Sequence, residues 1–123
     1  MTNKQDLELF NHKRLPDYIA HIEDRSDELT IKVRIIFKNG YELSIIKGPY
    51  TYGGPKGLLE IAPFGSDGKR APHLFDEDDK GDTVLGHCSK EKVLYYINKI
   101  GNHRRIEDDK RKNRMDRYRK TIT

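Results

Sequence analysis

A single cysteine, Cys88, is present, so no disulfide can form within the chain. The first ten residues, MTNKQDLELF, hold no apolar stretch of the secretory type, and the expected compartment is a reducing cytoplasm. No window approaches the roughly 18 apolar residues that cross a bilayer, which excludes a membrane-spanning helix. Only 34% of the 123 residues are apolar against 36% charged, so a core must be thin and must draw on part of the chain. No internal period suggests a repeat array, and one domain is expected.

The common site chemistries are also missing. His12, His21, His73, His87 and His103 show no H-x-x-x-H spacing, and there is no C-x-x-C pair, so neither zinc pattern is met. The glycines Gly48, Gly53, Gly54 and Gly57 are followed by no Gly-Lys-Ser/Thr, which leaves a phosphate-cradling loop unsupported. His87 and Cys88 are adjacent, and neighbouring strand residues point to opposite faces, so they cannot form a catalytic dyad. Asp76-x-Asp78-x-Lys80-Gly81 resembles the start of a calcium loop, but lysine stands where an oxygen ligand is needed and His87 where the twelfth-position glutamate belongs. The segment 65–82 is expected to be a solvated acidic linker. No set of acid, base, nucleophile or metal ligands converges, so neither an enzyme nor a cofactor or metal site is expected.

What is present reads as α+β. Leu15, Tyr18, Ile19 and Ile22 recur at helical spacing with Pro16 and Asp17 in the first turn, which predicts a helix over 16–25 in an N-terminal helical arm (1–26); Leu7 and Phe10 suit one turn of an earlier helix, and the arm is expected to break at Leu15, before the proline. Leu29, Ile31, Val33, Ile35 and Phe37 alternate with more polar residues, as do Tyr41, Leu43 and Ile45, and Asn39-Gly40 lies between the two runs. A two-residue loop would put the apolar sets on opposite faces. A three-residue loop, with Gly40 left-handed in a bulge, pairs Phe37 with Tyr41 and Ile35 with Leu43, and is preferred. Two further strands fit 58–64 and 83–88. Ser89 caps a helix whose stripe is Val93, Leu94, Ile97 and Ile100, ended by Gly101. The expected architecture is a small antiparallel meander of three to four strands, packed by this helix, in a domain ending at residue 101.

Charge divides at the same point. Residues 1–103 carry 15 Lys+Arg and 16 Asp+Glu, net −1, whereas 104–123 carry 9 basic and 4 acidic residues, net +5. Residues 102–123 are expected to form a protruding helix, with Glu107–Arg111, Asp108–Lys112 and Asp116–Lys120 spaced for ion pairs. Ile106 and Met115 fall on opposite faces, so no apolar stripe would bury this helix. Arg104, Arg105, Lys110, Arg111, Lys112, Arg114, Arg117, Arg119 and Lys120, with Tyr118 as a stacking partner, suit a nucleic-acid backbone. A helix merely solvated and held by its own ion pairs accounts for the same residues.

The segment 48–57, GPYTYGGPKG, is expected to be a long exposed loop. Tyr50 and Tyr52 would supply amphipathic contact area at low entropic cost. The alternative is that both rings fold back to cap the sheet.

The residues Asn39-Gly40-Tyr41, Gly48-Pro49-Tyr50-Thr51-Tyr52-Gly53-Gly54, Gly57-Leu58-Leu59-Glu60 and Asp82-Thr83-Val84-Leu85-Gly86 form a pattern that resembles small uncharacterised bacteriophage proteins. The likeness covers roughly 36–97. His87 stands where a tyrosine is usual, and the tail beyond Gly101 has no counterpart. The resemblance names no activity, but it implies a phage accessory protein. The expected function is stoichiometric binding that inhibits a host or defence protein or nucleoprotein, in the manner of anti-CRISPR proteins. The alternative is a nucleic-acid-binding accessory protein that uses the basic tail.

Overall fold

The computed structural model describes residues 14–122 apart from Tyr52, with side chains as far as Arg117. Five strands, β1 (Ile19–Asp24), β2 (Ile31–Phe37), β3 (Glu42–Lys47), β4 (Leu59–Phe64) and β5 (Leu85–Cys88), are followed by helices α1 (Lys90–Gly101) and α2 (Ile106–Ile122). The strands lie in sequence order in one antiparallel sheet, an α+β meander with one more strand than the sequence patterns suggested.

The extra strand is β1, where the spacing predicted a helix. Ile19 pairs with Phe37, yet Ile22, three residues on, pairs with Ile35, two residues back. A bulge between Ile19 and His21 absorbs the difference, so both isoleucines face the core side. An apolar spacing of three is thus produced by a bulged strand as readily as by a helical turn. Leu7 and Phe10 lie outside the described residues. Leu29, expected at the start of β2, is exposed in the preceding turn, where Asp27 Oδ1 accepts from the Leu29 and Thr30 N–H groups at 2.9 and 2.8 Å.

The β2–β3 hairpin has the bulged register. Ile35 pairs with Leu43, the Phe37 N–H donates to the Tyr41 carbonyl at 2.9 Å, and the Gly40 N–H donates to the Phe37 carbonyl at 3.2 Å. Gly40 has φ 98°, the left-handed conformation that glycine adopts without steric cost. Ile31, Val33, Ile35, Phe37, Tyr41, Leu43, Ile45, Leu59 and Ile61 are buried on one side of the sheet. Helix α1 covers them. Ser89 caps it, its side chain accepting from the Lys92 N–H, and the buried stripe is Val93, Tyr96, Ile97 and Ile100. Tyr96 takes the place expected for Leu94, which is partly exposed, because 93, 96, 97 and 100 share one helical face. The Tyr18 ring packs on Gly101, where a β-carbon would collide with it.

The segment 65–82 is a solvated linker only in part: 66–70 and 80–82 are exposed, but the stretch between them packs on the body. Phe64 and Arg70 form an antiparallel bridge, a 3₁₀ turn follows at Pro72–Leu74, and Ala71, Leu74 and Phe75 are buried. Phe75 meets the Tyr96 ring edge-on at 5.3 Å. Two of the acids face α1: Asp76 bonds Tyr95 and Lys99, while Asp79 bonds Tyr96 and, at 3.0 Å, Lys92. These partners hold both carboxyls below the usual aspartate range, led by Lys99 at Asp76 and by the Tyr96 hydroxyl at Asp79. Acid run and helix are thus one packed unit.

Among the described residues, no helix is long and apolar enough to cross a membrane.

Candidate functional site

Two stretches singled out by sequence sit far apart. In the first, Thr51 Oγ1 accepts from the Gly48 N–H at 3.0 Å and donates to the Gly48 carbonyl at 2.9 Å, closing a turn with Pro49 and Tyr50 at its apex. Gly53 (φ 87°) lies so close to β5 that a β-carbon there would stand 2.9 Å from His87 Cα. His87 itself has φ 56°, and Gly53 and His87 together pin the loop against the sheet edge. Tyr50 is not folded back: it is 95% exposed. Tyr52 lies outside the described residues.

The second stretch is α2, which leaves the far end of β3 from the tyrosine loop. Six strand residues at about 3.3 Å each separate the two by roughly 20 Å. The expectation that nothing beyond Gly101 would be buried does not hold for the first turn. Ile106 is 8% exposed and belongs to the core cluster, and its N–H donates to the Asn39 carbonyl at 2.9 Å. Asn39 Nδ2 donates to the carbonyls of Ile100 (2.6 Å) and His103 (3.1 Å), so the hairpin turn holds the end of α1 and the start of α2 together. Over the next six residues the packing stops. Lys110, Arg111, Lys112, Asn113, Arg114 and Met115 are all exposed, and six consecutive exposed positions leave no helical face against the protein.

Of the expected contact residues, Arg104, Arg105, Lys110, Arg111, Arg114 and Arg117 are exposed. Tyr118 and Arg119 lie in α2, their side chains outside the described set. Neither the Glu107–Arg111 nor the Asp108–Lys112 pair forms among the described residues. Asp109 instead pairs across the turn with Arg104, Oδ1 to Nε at 3.0 Å.

A third constellation was not visible in the sequence. Tyr41 just before β3, His73 in the 3₁₀ turn, His103 between the helices and Asp109 in α2 converge at the hairpin end of the sheet. The Tyr41 hydroxyl donates to Asp109 Oδ2 and stands 3.0 Å from His73 Nε2. His103 Nε2 lies 2.8 Å and His73 Nε2 3.6 Å from the same Oδ2. Ring centroids of Tyr41, His73 and His103 are 5.7, 5.7 and 6.2 Å apart, each pair edge-on. Burial, then the Asp109 carboxylate, pushes the Tyr41 hydroxyl far above its ordinary range, so it stays a donor at neutral pH. Burial also lowers His73. At Asp109 burial acts to raise the pKa but is outweighed by the Tyr41 and His103 hydrogen bonds and by Arg104, leaving it lowered. Positions 41, 73, 103 and 109 share no motif spacing, which is why sequence reasoning missed them.

Cys88 is buried, its thiol raised to about 11 by desolvation, while His87 faces outward, so the two form no dyad.

No family model, curated protein or solved structure matches the chain.

Proposed function

We propose that the protein works by stoichiometric binding, as a phage accessory factor that occupies a surface of a host or defence protein, or of a nucleoprotein, and so inhibits it. The observation that carries this reading is the 95% exposure of Tyr50 at the apex of a turn whose backbone is fixed on both sides. A large ring held outward on a pre-formed loop loses little entropy when it enters a partner's pocket, as interface anchors do. The bacteriophage resemblance of residues 36–97, which includes this loop, supplies the biological setting, with an anti-CRISPR-like role as its most specific form.

The test is affinity capture from host lysate after nuclease treatment, with wild type and Tyr50→Ala in parallel. A stoichiometric partner retained by wild type and lost by the variant is expected. Capture of no such partner, or equal capture by both, removes the proposal.

The consecutive exposed bases of α2 favour a second reading, nucleic-acid binding through Lys110, Arg111, Lys112 and Arg114. Each phosphate contact should add about −0.9 to the slope of log K against log salt. A slope near zero, or binding unchanged by Arg111→Glu with Arg114→Glu, rules it out.

A further inference from the structure

We propose that His73, His103 and Asp109 form a site for one divalent transition-metal ion of the zinc type, independent of the binding surfaces above. Their ligand atoms all lie within 4.8 Å of one another. Two imidazoles and one carboxylate make a donor set that suits zinc and its neighbours and poorly suits magnesium or calcium, which prefer all-oxygen shells.

The spacing fits an ion. Zinc bonds of about 2.0–2.1 Å in a tetrahedron put neighbouring ligand atoms about 3.3 Å apart. The observed separations from Asp109 Oδ2 are 2.8 Å to His103 Nε2 and 3.6 Å to His73 Nε2, on either side of that value.

The surroundings are those that orient metal ligands. Asp109 presents Oδ2 inward because Arg104 Nε holds Oδ1 at 3.0 Å, and the Tyr41 hydroxyl donates to Oδ2. Asn39 fixes the backbone of His103 through its carbonyl. His73 is the adjustable ligand and the point of entry, its side chain 53% exposed. Tyr41 Oη lies 3.0 Å from His73 Nε2, and an ion taking that nitrogen would replace this contact while Tyr41 kept its bond to Asp109. Three protein ligands leave the fourth position to water.

His103 and Asp109 lie six residues apart at the base of α2 and His73 thirty residues earlier, so an ion would tie the 3₁₀ turn after β4 to the base of α2. Such a link stabilises the folded state by mass action, more so as free metal rises.

The test uses full-length protein freed of metal by a chelator, then titrated calorimetrically with Zn²⁺, with Mg²⁺ as a control. Expected are one Zn²⁺ per chain, no heat of binding with Mg²⁺, and a melting temperature that rises with free Zn²⁺. His73→Ala should weaken binding at least tenfold. His73 is half-exposed, so this variant should melt close to wild type in chelator, which separates loss of a ligand from loss of the fold. His103→Gln supplies a second ligand variant with the same expected loss. Absence of saturable Zn²⁺ binding, or affinity and stoichiometry unchanged in both histidine variants, overturns the proposal.

Discussion

Asn39 donates its side-chain amide to the Ile100 carbonyl at 2.6 Å, so a residue whose sequence signal is a hairpin turn also closes the C-terminal end of a helix sixty-one positions later. Its Oδ1 accepts from the Tyr41 N–H at 3.0 Å, and its carbonyl accepts from Ile106. One turn residue thus fixes the hairpin, the end of α1 and the start of α2.

Replacing Asn39 by Asp keeps the acceptor toward Tyr41 and removes both amide donations. The variant should lose about 1–3 kcal/mol in urea unfolding, because the Ile100 carbonyl keeps only its backbone donors, the His103 N–H at 3.1 Å among them, and a partly buried carboxylate then faces both carbonyls. Stability equal to wild type would mean that water replaces the amide without cost.

Gly40 and Ile106 should be energetically coupled. A β-carbon on Gly40 would stand 2.6 Å from Ile106 Cγ2, in a backbone conformation with φ 98°. Gly40→Ala is expected to destabilise by more than about 1 kcal/mol, and Ile106→Ala by about 2–5 kcal/mol through loss of a buried side chain. The double variant should cost less than the sum, since truncating Ile106 removes the collision and leaves only the backbone strain. Strict additivity in a double-mutant cycle would place the two residues out of contact.

The contact between α1 and the acidic segment should weaken in acid. Asp76 and Asp79 are held below the ordinary aspartate value, so their contribution is fully present above about pH 4. It is lost as pH falls through the lowered folded-state values. Tyr96→Phe removes the donor to Asp79 and the acceptor for the Asp76 N–H, which lies 3.1 Å away. The variant should be about 1–2 kcal/mol less stable at neutral pH and should show a shallower fall in melting temperature below pH 4. An acid limb identical to wild type would disconnect Tyr96 from that titration.

Cys88 should be inert in the folded protein. It is buried, with its thiol raised to about 11, so almost no thiolate exists at pH 7. Reaction with a chromogenic disulfide reagent is expected to follow the opening of the structure and to accelerate in step with added denaturant. Immediate stoichiometric labelling in native buffer would contradict the burial.

The sheet was legible where a single face is buried and the turn chemistry is local. Parity alone selects the register of Ile35 and Leu43 around Asn39-Gly40, because any other pairing splits the apolar set. β1 was misread because a bulge gives Ile19 and Ile22 the spacing of a helical face, and only the partner strand reveals it. The segment 65–82 looked like linker because its few large apolar residues, Leu74 and Phe75, are outnumbered by acids, two of which, Asp76 and Asp79, have their partners on α1. The Tyr41–His73–His103–Asp109 cluster has no one-dimensional signature at all, since it is made by the meeting of a hairpin end, a 3₁₀ turn and an interhelical turn. Tyr50, by contrast, stood out as an aromatic residue among glycines, and the structure leaves it exposed.

Because, among the described residues, α2 is buried only in its first turn, the part from Lys110 to Ile122 forms an overhang of about 20 Å at roughly 1.5 Å per residue. That length exceeds two Debye lengths at physiological ionic strength, where the screening distance is about 8 Å. Acids near the sheet therefore exert almost no pull on charges near the helix tip, and an approaching polyanion meets the tip's positive field nearly undiminished by the rest of the molecule.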